Sequence, residues 1–193
     1  MATDLQPCPF AFDAARRYTI EEYYRLVEEG LLEEDARVEL LDGRIVPMSP
    51  IGPRHEQVIR QLRRAFERQE QGRYEVDKAT PLPIPDHNEP EPDLMLFRIG
   101  AATRAHHVRP ADVFLVVEVS LSTRDKDLSD KVMIYERGRI PEYWVIDLDK
   151  DCLRVFTLEG DHYRRKTFKH GRVSPQAFPD VTIDLDSLLG AED

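Results

Sequence analysis

One stretch limits the fold more than any other: Asp112-Val113-Phe114-Leu115-Val116-Val117-Glu118-Val119-Ser120. It is long enough for a single strand, rich in β-branched and aromatic residues, and apolar on both faces until it reaches a carboxylate. Such a run predicts a central strand covered on both sides. Glu118 breaks the pattern. A carboxylate in that setting must be paired, protonated or bound to a metal, because an isolated buried charge is strongly unfavourable. Upstream, Glu91-Pro92-Asp93 opens onto Leu94-Met95-Leu96-Phe97, so a second acid stands at the mouth of an apolar strand. Two strands bringing acids toward one another suggest a divalent-metal site.

Other segments surround these two strands. Residues 1–17 show little periodicity and read as an N-terminal arm; residues 18–193 read as one domain. Thr19-Ile20-Glu21-Glu22 is a capping box, predicting a helix to about Glu29 with Gly30 ending it. Val38-Glu39-Leu40-Leu41 and Arg44-Ile45-Val46 flank Asp42-Gly43, a strong hairpin signal that sets Glu39 on the first strand. Val58, Leu62, Ala65 and Phe66 predict a helix over 54–71, with His55 in its first turn. Arg60, Arg63, Arg64 and Arg68 form either its solvated face or a phosphate-contacting one.

A strand is expected over 74–80, then an irregular connector over 81–90 with four prolines. Ser122-Thr123 can cap a helix reaching Arg137, closed by Gly138. Its apolar stripe is Leu128, Val132 and Tyr135, widened by Met133, with Lys131 at the flank. A strand over 142–148 completes a βαβ unit, which implies a parallel pair. A hairpin of 153–158 with 162–168 follows, then a short helix or turn over 183–189.

Composition matters here for what it excludes. The formal charge of −10 over 193 residues argues against a general nucleic-acid coat protein, whose surface would be basic. It leaves room for an enzyme acting on nucleic acid, since active-site acids count in that total. No run approaches the roughly 18–20 apolar residues of a membrane span, and the N-terminus lacks the pattern of a signal peptide. Cys8 and Cys152 form no metal spacing and suit free thiols in a reducing cytoplasm.

If adjacent strands carry Asp93 and Glu118, their carboxylates can meet at a metal, and hard oxygen ligands favour Mg²⁺ or Mn²⁺ over zinc. The strand period of two puts Val116, Glu118 and Ser120 on one face and Val117 and Val119 on the other, with the Val119 carbonyl as a further oxygen. The alternative is that each acid forms a structural ion pair. Lys131 could stabilise a metal-bound hydroxide and charge on a phosphoryl oxygen, or pair within its helix with Asp127. Asp125, Asp127 and Asp130 lack the glycine and spacing of a calcium loop. His106-His107 has no partner at zinc-ligand spacing and reads as surface.

Several segments in order carry a resemblance. They are Val38-Glu39-Leu40-Leu41-Asp42-Gly43; Pro50 and His55; Glu91-Pro92-Asp93; and Val117-Glu118-Val119-Ser120 with Ser122-Thr123. Asp130-Lys131 with Tyr135 and Gly138, and Glu142-Tyr143-Trp144-Val145-Ile146-Asp147, complete the set. Together, over residues 18–147, they resemble the Uma2-type endonucleases of the PD-(D/E)XK nuclease-like superfamily. That resemblance implies a restriction-endonuclease-like α/β fold: a mixed central sheet flanked by helices, with N-terminal and C-terminal hairpins. It implies Asp93 and Glu118 as metal ligands, Glu39 as an accessory acid, and His55 in a substrate-contacting or supporting role.

One departure stands out. The superfamily pattern has a lysine two residues after the second acid, where this chain has Ser120. The resemblance suggests that Lys131, on the following helix, takes that lysine's place. The expected activity is Mg²⁺- or Mn²⁺-dependent hydrolysis of DNA. The rival reading is a non-catalytic module that keeps the nuclease fold for interaction, which suits the acidic charge and the displaced lysine. A homodimer through the arm and the last hairpin is a further expectation.

Overall fold

The computed structural model describes residues 16–190, except 34, 49–50, 104–105 and 121–124, and without the side chains of 125–129. Several expectations therefore lie outside the described residues: most of the N-terminal arm, Cys8, Pro50, the Ser122-Thr123 cap, and the side chains of Asp125, Asp127 and Leu128.

Local chemistry accounts for the early elements. Helix α1, Ile20–Glu28, begins with both bonds of the capping box: Thr19 Oγ1 accepts from Glu22 N–H at 3.1 Å, and Glu22 Oε2 accepts from Thr19 N–H at 3.0 Å. Strands β1, Val38–Leu41, and β2, Arg44–Pro47, pair antiparallel. Between them Asp42 and Gly43 have φ of 49° and 76°, the positive values at both central residues that a type I′ turn requires.

Helix α2, Pro53–Glu67, has Pro at its start and buries Val58, Ile59, Leu62 and Phe66. It stops four residues before the expected Gln71. Gln69 N–H turns back to Phe66 O, and Gln71 and Gly72 take positive φ. Strand β3 is likewise shorter than expected, Glu75–Asp77 instead of 74–80, because Ala79 adopts a φ of 50°. Strand β4, Leu94–Phe97, and strand β5, Val113–Ser120, are the two acid-bearing strands of the sequence reading. A short 3₁₀ turn at Pro110–Asp112 leads into β5.

Helix α3, Asp125–Arg137, joins β5 to β6, Glu142–Asp147. Gly138 is not the left-handed residue after α3; Arg139 is, with φ of 57°. A Cβ on Gly138 would stand 3.0 Å from two Ile84 carbons, so close approach to the proline-rich connector requires the glycine there. Strands β7, Cys152–Glu159, and β8, His162–Phe168, form the C-terminal hairpin. Strands β9, Arg172–Val173, and β10, Ile183–Asp184, then lead to helix α4, Leu185–Leu189.

The sheet runs β3-β4-β5-β6-β7-β8. Only β5 and β6 are parallel; the other neighbours are antiparallel. This is the expected βαβ unit inside a mixed sheet flanked by helices. The period of two divides the core. Leu94, Val117, Val119 and Trp144 pack on one face with Leu62 and Phe66 of α2 and Leu185 of α4. Met95, Val116, Tyr143 and Val145 pack on the other with Ile134 and Tyr135 of α3 and Leu41 of β1. Cys152 is a buried free thiol. Among the described residues no helix is long and apolar enough to cross a membrane.

Candidate active site

Register brings the acids together. Leu94 pairs with Val117 across β4 and β5, so Asp93, one step before β4, reaches the same end of the sheet as Glu118. Asp93 Oδ2 accepts the Val119 N–H at 2.7 Å, tying the acid to the backbone of β5. The same oxygen lies 3.1 Å from His55 Nε2, which the first turn of α2 delivers. Elements far apart in the chain thus converge on one carboxylate.

Glu118 is held from the opposite layer. Lys131 and Tyr135 stand one helical turn apart on α3 and share a face. Lys131 Nζ donates to Glu118 Oε1 at 2.9 Å and to Glu39 Oε2 at 2.9 Å. The Tyr135 hydroxyl also donates to Glu118 Oε1, at 2.9 Å. Glu39 Oε2 accepts the Glu91 N–H at 3.2 Å. Lys131, Glu118 and Glu39 are each less than a tenth exposed. The lysine at the flank of the apolar stripe therefore turns inward and bridges two acids.

Burial sets the electrostatics. It raises the pKa of Glu118, assisted by the charges of Asp93 and Glu39 and opposed by the Lys131 ammonium. Burial works against the Lys131 charge, but Glu118 and Glu39 outweigh it and hold the ammonium above the usual lysine range. For His55, burial lowers the pKa, while the hydrogen bond to Asp93 and the charges of Asp93, Glu118 and Glu56 raise it, leaving the ring above 6.5. In EDTA, an NMR titration of the His55 ring should therefore give a pKa above 6.5, and Asp93→Asn should lower it, because the charge of Asp93 is lost while burial remains. The associated stability is fully present below 6.5 and is lost as pH rises through the folded pKa. A ring that titrates identically in wild type and Asp93→Asn would rule out the His55–Asp93 contact in solution.

Ser120 ends β5 beside Asp147 of β6, and its carbonyl accepts the Leu148 N–H at 2.8 Å. His106 and His107 are exposed. Two contacts escaped the sequence reading: the Tyr135 hydroxyl, whose residue was read as part of an apolar stripe and of the resemblance but given no role, and the Glu91 amide. The spacing of Tyr135 from Lys131 was the available signal for the first. Two buried atoms, His55 Nδ1 and the Tyr143 hydroxyl oxygen, have no partner among the described residues.

The donor set fits a hard divalent cation. The described hydrogen bonds of Glu118 use Oε1 and those of Asp93 use Oδ2. Among the described residues no group of three or more His, Cys, Asp or Glu side chains converges as a metal cage. A site offering two carboxylates suits Mg²⁺, which keeps several waters and takes few protein ligands.

Comparisons with known proteins agree with this architecture. A family model, Uma2, described as "Putative restriction endonuclease", matches residues 20–186. Among solved structures, a crystal structure from Anabaena variabilis ATCC 29413, described as a "putative nuclease belonging to DUF820", superposes with a TM-score of 0.71 at 13% identity. The match covers 89% of this chain and 97% of that one. At that identity the likeness speaks for the fold. No curated protein matches the chain.

Proposed function

The chain belongs to the Uma2 family, and on that premise we propose that it is a metal-dependent endonuclease hydrolysing phosphodiester bonds in DNA. Family and fold support a nuclease function; the observation that carries the finer reading is the buried Lys131 ammonium, 2.9 Å from both Glu118 and Glu39, at the sheet end where Asp93 stands. Asp93 and Glu118 would hold Mg²⁺ or Mn²⁺. When bound, that cation supplies Lewis acidity toward water and a phosphoryl oxygen.

The chain's own residues do the remaining work in this reading. Lys131 keeps its proton throughout and offsets negative charge developing at the scissile phosphate. Tyr135 and Lys131 fix Glu118 in one orientation, and the Val119 amide and His55 fix Asp93. Preorganised partners of this kind remove the cost of arranging charges during reaction. Glu39, anchored by Lys131 and the Glu91 amide, would hold a water or a second cation. Ser120 lies on the same face as Glu118 and would contact the substrate backbone in this reading.

The test is nicking of supercoiled plasmid, and cutting of single-stranded DNA, in Mg²⁺, in Mn²⁺ and in EDTA. Wild type should cleave only with the cations. Asp93→Ala should abolish cleavage while leaving the circular-dichroism spectrum unchanged. Cleavage in EDTA, or an active Asp93→Ala, would discard the site. A folded wild type that never cleaves would favour the interaction-module reading.

A further inference from the structure

Charge is unevenly distributed along this chain. Residues 162–172 contain five Lys and Arg and no Asp or Glu, in a protein of formal charge −10. They build β8 and the turn into β9, and β8 is the outermost strand of the six-stranded sheet. Arg164, Arg165 and Lys166 are exposed on it, and Lys169 is exposed just beyond its end. Arg164 is engaged by Glu159 at 3.0 Å. No ion pair among the described residues uses Arg165, Lys166 or Lys169. Adjacent unpaired cations repel one another, and a polyanion relieves that repulsion.

Position relates this strip to the acids. Val119, Ile146, Leu153 and Phe168 stand in one row across β5, β6, β7 and β8, and β8 runs in the same direction as β5. Lys169 therefore emerges at the sheet end that carries Glu118, three strand spacings away, roughly 14 Å. That is about four base pairs of duplex at 3.4 Å each. Lysines on outer strands also prevent edge-to-edge association, but here the basic residues continue past the end of the strand.

We propose that Arg165, Lys166 and Lys169 form a backbone-binding edge that holds duplex DNA a few base pairs from the scissile phosphate. This rests on the DNA reading above. The arginines of α2 supply the contrast. Arg60, Arg64 and Arg68 are exposed at four-residue intervals, on the side of the helix opposite Val58, Leu62 and Phe66, so they face away from the sheet.

The experiment is fluorescence anisotropy of a short labelled random-sequence duplex in EDTA, across a salt series, with size-exclusion chromatography of each protein. Arg165→Gln/Lys166→Gln/Lys169→Gln should bind about tenfold more weakly or worse at low salt and flatten the log–log salt slope by about 2–3. Arg60→Gln/Arg64→Gln/Arg68→Gln changes the net charge equally and should stay within about twofold of wild type. An unchanged slope for the β8 variant overturns the proposal, as does equal weakening by the α2 variant, which would mean that net charge alone matters. Aggregation of the β8 variant with unchanged affinity of its monomer overturns it in favour of edge protection. These outcomes leave the nuclease reading intact; a wild type that binds no duplex removes the DNA reading and this edge together.

Discussion

Lys131→Met should lower the unfolding free energy by about 3–5 kcal/mol, the range found when one partner of a buried charge pair is removed. The ammonium is 2.9 Å from Glu118 and 2.9 Å from Glu39, with all three side chains 9% exposed. Methionine fills a similar volume, so the loss reports charge more than packing. Two carboxylates would remain in a place where burial already raises the pKa of Glu118. Urea denaturation at neutral pH measures the effect. The deficit should shrink as pH falls: a group whose folded pKa is raised contributes stability at low pH that is lost as pH rises through that pKa. Lys131→Met/Glu118→Gln/Glu39→Gln should recover much of the loss, because neutral groups need no counter-ion. A single variant as stable as wild type at neutral pH would show that Lys131 is solvated and not locked between the acids.

Glu118→Gln should produce the largest change in activity, a fall in cleavage of about a thousandfold or more, the upper range for losing one preorganised electrostatic group. The fold should survive. The amide oxygen still accepts from Lys131 and Tyr135, and Lys131 keeps its pair with Glu39. Isothermal titration with Mn²⁺ should show weakened binding alongside the lost activity. Tyr135→Phe offers a useful contrast: it removes one hydrogen bond to a charged acceptor, worth about 1.5–3 kcal/mol, and leaves both candidate ligands in place. If Glu118→Gln cleaved DNA and bound Mn²⁺ like wild type, Glu118 would be a counter-ion for Lys131 and nothing more.

Much of the fold was legible because its causes are local. The Thr19–Glu22 box, the positive-φ pair Asp42-Gly43 and the apolar runs of β4, β5 and β6 each act within a few residues. A helix between two apolar strands then demands the parallel β5–β6 pair. The acids were legible as interruptions: Glu118 between the apolar residues Val113–Val117 and Val119, Asp93 at the entry to another run. Boundaries were less so, since Gln71 and Ala79 adopt left-handed backbone that their side chains do not announce.

By itself, then, the amino-acid order determined the central strands and their two faces and marked the two carboxylates as interruptions of them; strand pairing set those carboxylates at one sheet end. Tertiary packing alone decided where the cation goes. At the flank of its helix, Lys131 has both solvent and the protein interior within reach, and only α3 lying across β5 with β1 beside it makes the inward position favourable. The same holds for the Tyr135 hydroxyl on Glu118 and for His55 reaching Asp93 from another helix. Periodicity reports which face a residue occupies. Which group it meets there depends on contacts between segments distant in sequence, and those exist only once the layers have closed.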